Sequence, residues 1–266
     1  MVTRKQVARP FLALLAFLVV VWPARVRAQS PAARETVEPG LNLPELLDKL
    51  VEKNAERSEA LQKYQGRRTY TLTYTGFPTS FHAEMVVDMT YQAPGTRQFK
   101  VVSESGSRWM IDRVLKRLLD AEQEADGNRA GVDLNSRNYD FSDLERQEAA
   151  DTCSYVVAVE PKVPSKLLYR GKIWVDSRDF AVCRIQAEPS KNPSFWIKKT
   201  DIHHTYEKIG DFWLPLENVS ESAIRGGGRA VLTIKYQNYE ILAARGLKPA
   251  DPGPSANSFP VSNPAN

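Results

Sequence analysis

Thr69-Tyr70-Thr71-Leu72-Thr73-Tyr74-Thr75 alternates threonine with a ring or a branched apolar side chain. The run from Phe81 to Tyr91 repeats the pattern, with Phe81, Ala83, Met85, Val87, Met89 and Tyr91 on one side and His82, Glu84, Asp88 and Thr90 on the other. A period of two sends successive side chains to opposite faces, so each stretch predicts a half-buried antiparallel strand with one wet face. Pro94-Gly95 then marks a turn, and Phe99–Ser103 reads as a shorter strand.

Working outward, further strands are expected at about 138–146, 152–160, 167–176, 180–188, 194–206, 212–224 and 229–241. Short polar or glycine-rich breaks separate several of them: Asp176-Ser177-Arg178-Asp179, Ile209-Gly210-Asp211 and Gly226-Gly227-Gly228. Tight turns make neighbouring strands antiparallel. Two helical patterns flank this material. Asn42 can cap the first and Pro44 suits its first turn. Leu43, Leu46, Leu47, Leu50, Val51, Leu61 and Tyr64 form its apolar stripe, and Gly66 lies just beyond. The second carries Trp109, Val114, Leu115, Leu118 and Leu119 at helical spacing, and a polar stretch, Gly127–Ser136, follows. The fold class is therefore mainly β: one large curved antiparallel sheet, with helices covering its concave side. A sheet of roughly ten twisted strands curls, and a curled sheet encloses an apolar interior.

The chain ends read differently. Residues 1–28 hold Arg4, Lys5, Arg9, Arg25 and Arg27 with no acid, and an apolar run from Phe11 to Trp22. Val26-Arg27-Ala28 offers a cleavage site, so this stretch reads as a signal peptide, with an uncleaved anchor as the alternative. The twelve-residue run is short for a bilayer span, which takes about 20 residues. No Cys follows it to carry a lipid anchor, so the mature protein is expected to be exported and soluble. Residues 29–42 are a polar leader, 43–244 the folded domain, and 245–266 a proline-rich tail that cannot bury a core. Charge points the same way. Without the five cations of the signal, 31 basic groups face 32 acidic ones, and no nucleic-acid surface is implied.

Little in the sequence suggests chemistry. His203 and His204 are adjacent in a strand, so they face opposite ways and cannot grip one ion; no metal or other cofactor is expected. Gly226-Gly227-Gly228 precedes a strand, not a helix, and reads as a hairpin instead of a phosphate cradle. No Gly-x-Ser-x-Gly elbow or His-Glu-x-x-His helix occurs, and an enzyme is not expected. Cys153 and Cys183 lie in strand-like stretches with a third between them, and both the bridged and the free state stay open. Trp109, Trp174, Trp196, Trp213, Phe195 and Phe212 suit either ordinary core packing or the lining of an apolar cavity.

Several segments resemble a known family: Tyr139-Asp140-Phe141, Gly171-Lys172-Ile173-Trp174-Val175-Asp176, Thr205-Tyr206-Glu207-Lys208-Ile209-Gly210-Asp211-Phe212-Trp213-Leu214-Pro215, and Tyr236-Gln237-Asn238-Tyr239-Glu240-Ile241. They are similar to exported outer-membrane lipoprotein-sorting proteins, the LolA/LolB carriers, and more distantly the sensor RseB. The resemblance implies a half-open β-barrel, a periplasmic location and lipoprotein acyl chains or other lipid as ligand. It also implies a possible membrane-associated protein partner and, as the alternative, an envelope sensor or a plain interaction domain. A monomer is expected. Within such a hollow, Tyr70, Leu72, Tyr74, Phe81, Met85, Met89, Trp109, Val114 and Leu118 are the candidate ligand-binding residues, and Trp109–Leu119 is the candidate lid.

Overall fold

A computed structural model describes residues 41–126, 131, 133–147, 152–192 and 194–246. The signal peptide and most of the leader and tail expected above lie outside these residues. Ten strands form one sheet: β1 (Leu61–Thr75), β2 (Phe81–Gln92), β3 (Thr96–Gly106), β4 (Tyr139–Arg146), β5 (Tyr155–Pro161), β6 (Tyr169–Val175), β7 (Val182–Pro189), β8 (Ile197–Ile209), β9 (Phe212–Ile224) and β10 (Arg229–Ala244). Their order is β3-β2-β1-β10-β9-β8-β7-β6-β5-β4, antiparallel throughout. The edges β3 and β4 do not pair, so the barrel is half-open.

The register explains why one face is dry. Partners directly opposite share a face, and one row runs Val157, Ile173, Ile185, His204, Asn218, Ile234, Tyr70, Met85. The adjacent row, displaced by one residue, runs Ala158, Lys172, Gln186, His203, Val219, Thr233, Thr71, Glu84. A one-residue slip would exchange these rows, so burial of the first fixes the pairing.

Both helical elements cover the apolar face. Helix α1 (Leu43–Ala60) opens with a capping box, in which the Glu45 amide donates to Asn42 Oδ1 at 3.0 Å and the Asn42 amide to Glu45 Oε2 at 3.2 Å. Its Leu46 and Leu50 are fully buried against Tyr139, Val157, Val159, Ile173 and Val175, contributing about 1.5–3 kcal/mol each. The second cover is one segmented helix: α2 (Arg108–Met110), a π-helical turn (Ile111–Leu115) and α3 (Lys116–Asp126). Met110, Ile111, Leu115 and Leu119 bury themselves on β1, β2 and β10. Gly106 ends β3 at φ +85°, where a Cβ would meet the His82 carbonyl oxygen at 2.3 Å; only glycine lets the chain turn into the helix there.

Two expectations need correction, and the open state of the cysteines is decided. Helix α1 stops at Ala60, and Leu61 and Tyr64 instead pair with Ala244 and Ile241 of β10, because the ladder outweighs their helical spacing. Val51 lies on the solvent side of α1. The cysteines are joined, although β5 and β7 are not neighbours. Cys153 precedes β5 and rounds the end of β6, where the Ser177 amide donates to the Thr152 carbonyl at 2.8 Å. That detour brings the two Cα atoms to 6.2 Å, within disulfide range. Among the described residues no helix is long and apolar enough to cross a membrane.

Candidate functional site

The two covers leave space on the inner face beside the C-terminal half of α1. A cavity of about 320 Å³ lies between Asn54, Arg57 and Ser58 of the helix and the sheet. Its walls are Leu61, Leu134, Tyr169, Ala181, Val182, Ile185, Tyr206, Phe212, Trp213 and Leu214, nearly all apolar or aromatic. That volume is at the lower end of small-ligand pockets, and the lining suits an apolar occupant.

Polar groups fasten its edge. Arg57 donates from Nη1 to the Asp179 carbonyl at 2.7 Å and from Nη2 to the Phe180 carbonyl at 3.1 Å, tying α1 to the β6–β7 turn. Burial lowers the Arg57 pKa, with Asp179 opposing. Asp179 Oδ2 accepts from Trp213 Nε1 at 2.8 Å and pairs with Lys208 Nζ at 2.6 Å. Burial would raise its carboxyl, but those two donors hold it below the usual range. The Tyr206 hydroxyl is pushed up to about 12 by burial and stays uncharged.

Farther along the same face sits a buried cation. Arg68 donates from Nη1 to Glu122 Oε2 at 2.6 Å and to the Tyr70 hydroxyl at 3.2 Å. Its guanidinium lies over the rings of Phe99 and Tyr236, at 5.3 and 5.0 Å. Burial works against its charge, but Glu122 and the neighbouring tyrosine oxygens raise its pKa overall. Burial and then Glu122 push Tyr70 up to about 12. His204 stacks on Tyr206 at 4.4 Å, and burial, reinforced by Arg68, lowers its pKa to about 4. Arg68 Nε and His204 Nε2 are buried with no hydrogen-bond partner among the described residues.

The residues singled out from the sequence divide. Tyr70, Leu72 and Met85 are buried beneath the segmented helix, with Tyr74, Val114 and Leu118 packed partly buried against them. Met89 belongs to a neighbouring cluster with Tyr64, Tyr91, Phe212 and Leu214. Phe81 stacks on Tyr74 at a strand end yet is 44% exposed, and Trp109 is 69% exposed. Six of the nine therefore share one cluster, which the helix fills with its own side chains, and none lines the 320 Å³ cavity. Of the cavity walls, Phe212 and Trp213 are among the aromatics that the sequence offered as core or cavity lining; the other walls depend on where α1 crosses the sheet. Arg68 did carry a signal: it lies in phase with Tyr70, Leu72 and Tyr74, a cation on an otherwise apolar face.

A larger hollow, about 840 Å³, lies on the opposite face between Ser142 and His203. Four of its charged groups pair with each other, Arg170 with Glu188 at 2.8 Å and Lys199 with Asp201 at 2.6 Å, and Lys172 pairs with Glu145 at 3.5 Å. It is the wet face expected of an antiparallel sheet, and the smaller hollow is the better apolar site. Among the described residues no group of three or more His, Cys, Asp or Glu is placed to hold a metal ion.

No family model matches the chain, and no curated protein matches it. Solved structures similar to it include a DUF1329 family protein from Desulfovibrio piger, at 14% identity and TM-score 0.39, covering 74% of this chain and 92% of that one. A LolA superfamily protein from Nitrosomonas europaea follows at 12% identity and TM-score 0.35, covering 76% and 94%. A putative outer membrane lipoprotein-sorting protein domain from Vibrio parahaemolyticus gives 9% and 0.36, covering 74% and 92%.

Proposed function

We infer that this protein is a periplasmic carrier or binding protein for an acyl chain, of a lipoprotein or of another lipid, in outer-membrane lipoprotein sorting. The observation that carries this reading is the apolar 320 Å³ cavity on the inner face of a half-open barrel. Each buried methylene is worth about 0.8 kcal/mol, so a chain of modest length binds without any catalytic step.

Energetics favour the cavity under α1 over the hollow beneath the segmented helix as the first site of entry. Lifting that helix exposes Met110, Ile111, Leu115 and Leu119, at about 1.5–3 kcal/mol each, or roughly 6–12 kcal/mol together. A sixteen-carbon chain gains about 12 kcal/mol, so a ligand placed there would spend most of its binding energy on opening the lid. The cavity under α1 needs no such opening. The segment Trp109–Leu119 acts in this scheme as a second cover, which a longer or branched ligand displaces.

Titration with a fluorescent fatty acid tests the reading. Ala181 is buried at the cavity wall, and Ala181→Phe fills the space. Saturable binding to the wild type and its loss in a folded A181F protein are expected. Equal binding by both, or none by the wild type, would overturn the assignment.

A further inference from the structure

Strand direction alternates across an all-antiparallel sheet, so every second connection falls at the same end. At one end lie the β1–β2, β5–β6, β7–β8 and β9–β10 turns and the passage from β3 into α2. These tips touch in sequence around the edge. The Tyr74 hydroxyl donates to the Gly227 carbonyl at 3.1 Å, the Arg225 amide to the Trp196 carbonyl at 2.7 Å, and the Ser165 amide to Ser190 Oγ at 2.9 Å. They form one continuous rim.

This rim is both apolar and basic. Of the twelve large apolar side chains most exposed among the described residues, seven are on it: Phe77, Phe81, Trp109, Val163, Leu167, Phe195 and Trp196, between 44 and 89% exposed. Its hairpin segments, 75–81, 106–109, 161–168, 189–197 and 224–229, contain Arg108, Lys162, Lys166, Lys191, Arg225 and Arg229 and no Asp or Glu; the lead-in to β4, 133–138, reaches the same end and adds Asp133 and Arg137. The turns at the opposite end reverse the pattern. They hold Asp176, Asp179 and Asp211 against Arg178, and none of those twelve side chains. Arg108, Lys162 and Arg229 pair with acids on adjoining elements (Glu104 and Asp112, Asp140, and Glu221), whereas Lys166, Lys191 and Arg225 have no carboxylate partner among the described residues. Tips of Trp and Phe set among these three unpaired cations match the interface of an anionic bilayer, where rings sit at headgroup depth and each cation meets negative potential. A protein partner's groove would take a compact patch. These residues instead spread along a line of hairpin tips.

We propose that this rim docks the protein on an anionic phospholipid surface, inserting Phe77, Trp109, Phe195 and Trp196 between headgroups. The proposal does not rest on the cavity under α1, and either stands if the other fails. The probe is full-length protein with vesicles of phosphatidylglycerol and phosphatidylethanolamine, against phosphatidylcholine vesicles. The apolar run Phe11–Trp22 can itself adhere to lipid, so the readout is specific to the rim: quenching by lipids brominated near the headgroup, measured for wild type and for Trp196→Phe. On the anionic vesicles the difference between the two, Trp196's own emission, is expected to be quenched and blue-shifted. The triple change K166Q/K191Q/R225Q is expected to weaken binding about a hundredfold, at about fivefold for each cation. Arg178→Gln, at the opposite end, leaves binding unchanged. An unquenched Trp196, equal binding to phosphatidylcholine, or a triple variant that binds like wild type would overturn the proposal.

Discussion

Removing either member of the Arg68–Glu122 pair has unequal consequences, and the inequality follows from where each sits. The Arg68 side chain is 6% exposed and that of Glu122 27%. Glu122→Ala leaves a guanidinium enclosed by Phe99 and Tyr236, with the Tyr70 hydroxyl as its remaining side-chain acceptor. Breaking a buried pair this way costs about 3–5 kcal/mol, and the partial exposure of Glu122 places it near 3. Arg68→Met keeps the stem's packing on the two rings and leaves a carboxylate that water can reach, at about 1–2 kcal/mol. The double change R68M/E122L exchanges the pair for apolar contact and should come close to neutral. In urea, with a slope of about 2 kcal/mol/M, E122A should lower the midpoint by about 1.5 M and R68M by less than 1 M. If R68M proved as costly as E122A, or the double variant costlier than both, the burial argument would be refuted.

Other consequences follow from the same contacts. His204 is held neutral to about pH 4, whereas an unfolded chain protonates it near 6.5. The unfolded state therefore binds more protons between those values, and stability should fall as pH drops from 6.5 to 4, by at most about 3 kcal/mol. His204→Gln should flatten that part of the urea-stability profile, and an unchanged profile would contradict it. Reducing the Cys153–Cys183 bond reopens a loop spanning a sequence separation of 30, worth about 3.5 kcal/mol on a chain-entropy estimate, so dithiothreitol should lower the urea midpoint markedly. Gly106→Ala combines a positive φ with a 2.3 Å approach to the His82 carbonyl, and should lower the thermal midpoint by several degrees.

The sheet was legible because its rows alternate cleanly. Tyr70, Leu72, Ala83, Met85 and Val87 announce a dry face, and the Gly226-Gly227-Gly228 turn a hairpin, without knowledge of any long-range contact. Boundaries decided by pairing were not legible. Leu61 and Tyr64 continue a helical stripe and become strand only because β10 lies beside them. The disulfide depended on Cys153 rounding the end of β6, which spacing along the chain does not encode. For the candidate site, the sequence points to the apolar face but not to where that face stays uncovered. It singles out side chains that the segmented helix buries, while the cavity forms where α1 crosses β6–β9. Trp109, Phe195 and Trp196 read as core packing or cavity lining, and only strand direction puts them, together with Phe77, at one end.

Native mass spectrometry of the purified protein, released gently and followed by organic extraction, weighs whatever the barrel holds. A mass increment that extraction removes and identifies as an acyl lipid, and that Ala181→Phe abolishes, is the expected result. A bare polypeptide mass that stays bare after incubation with lipid would contradict the carrier reading.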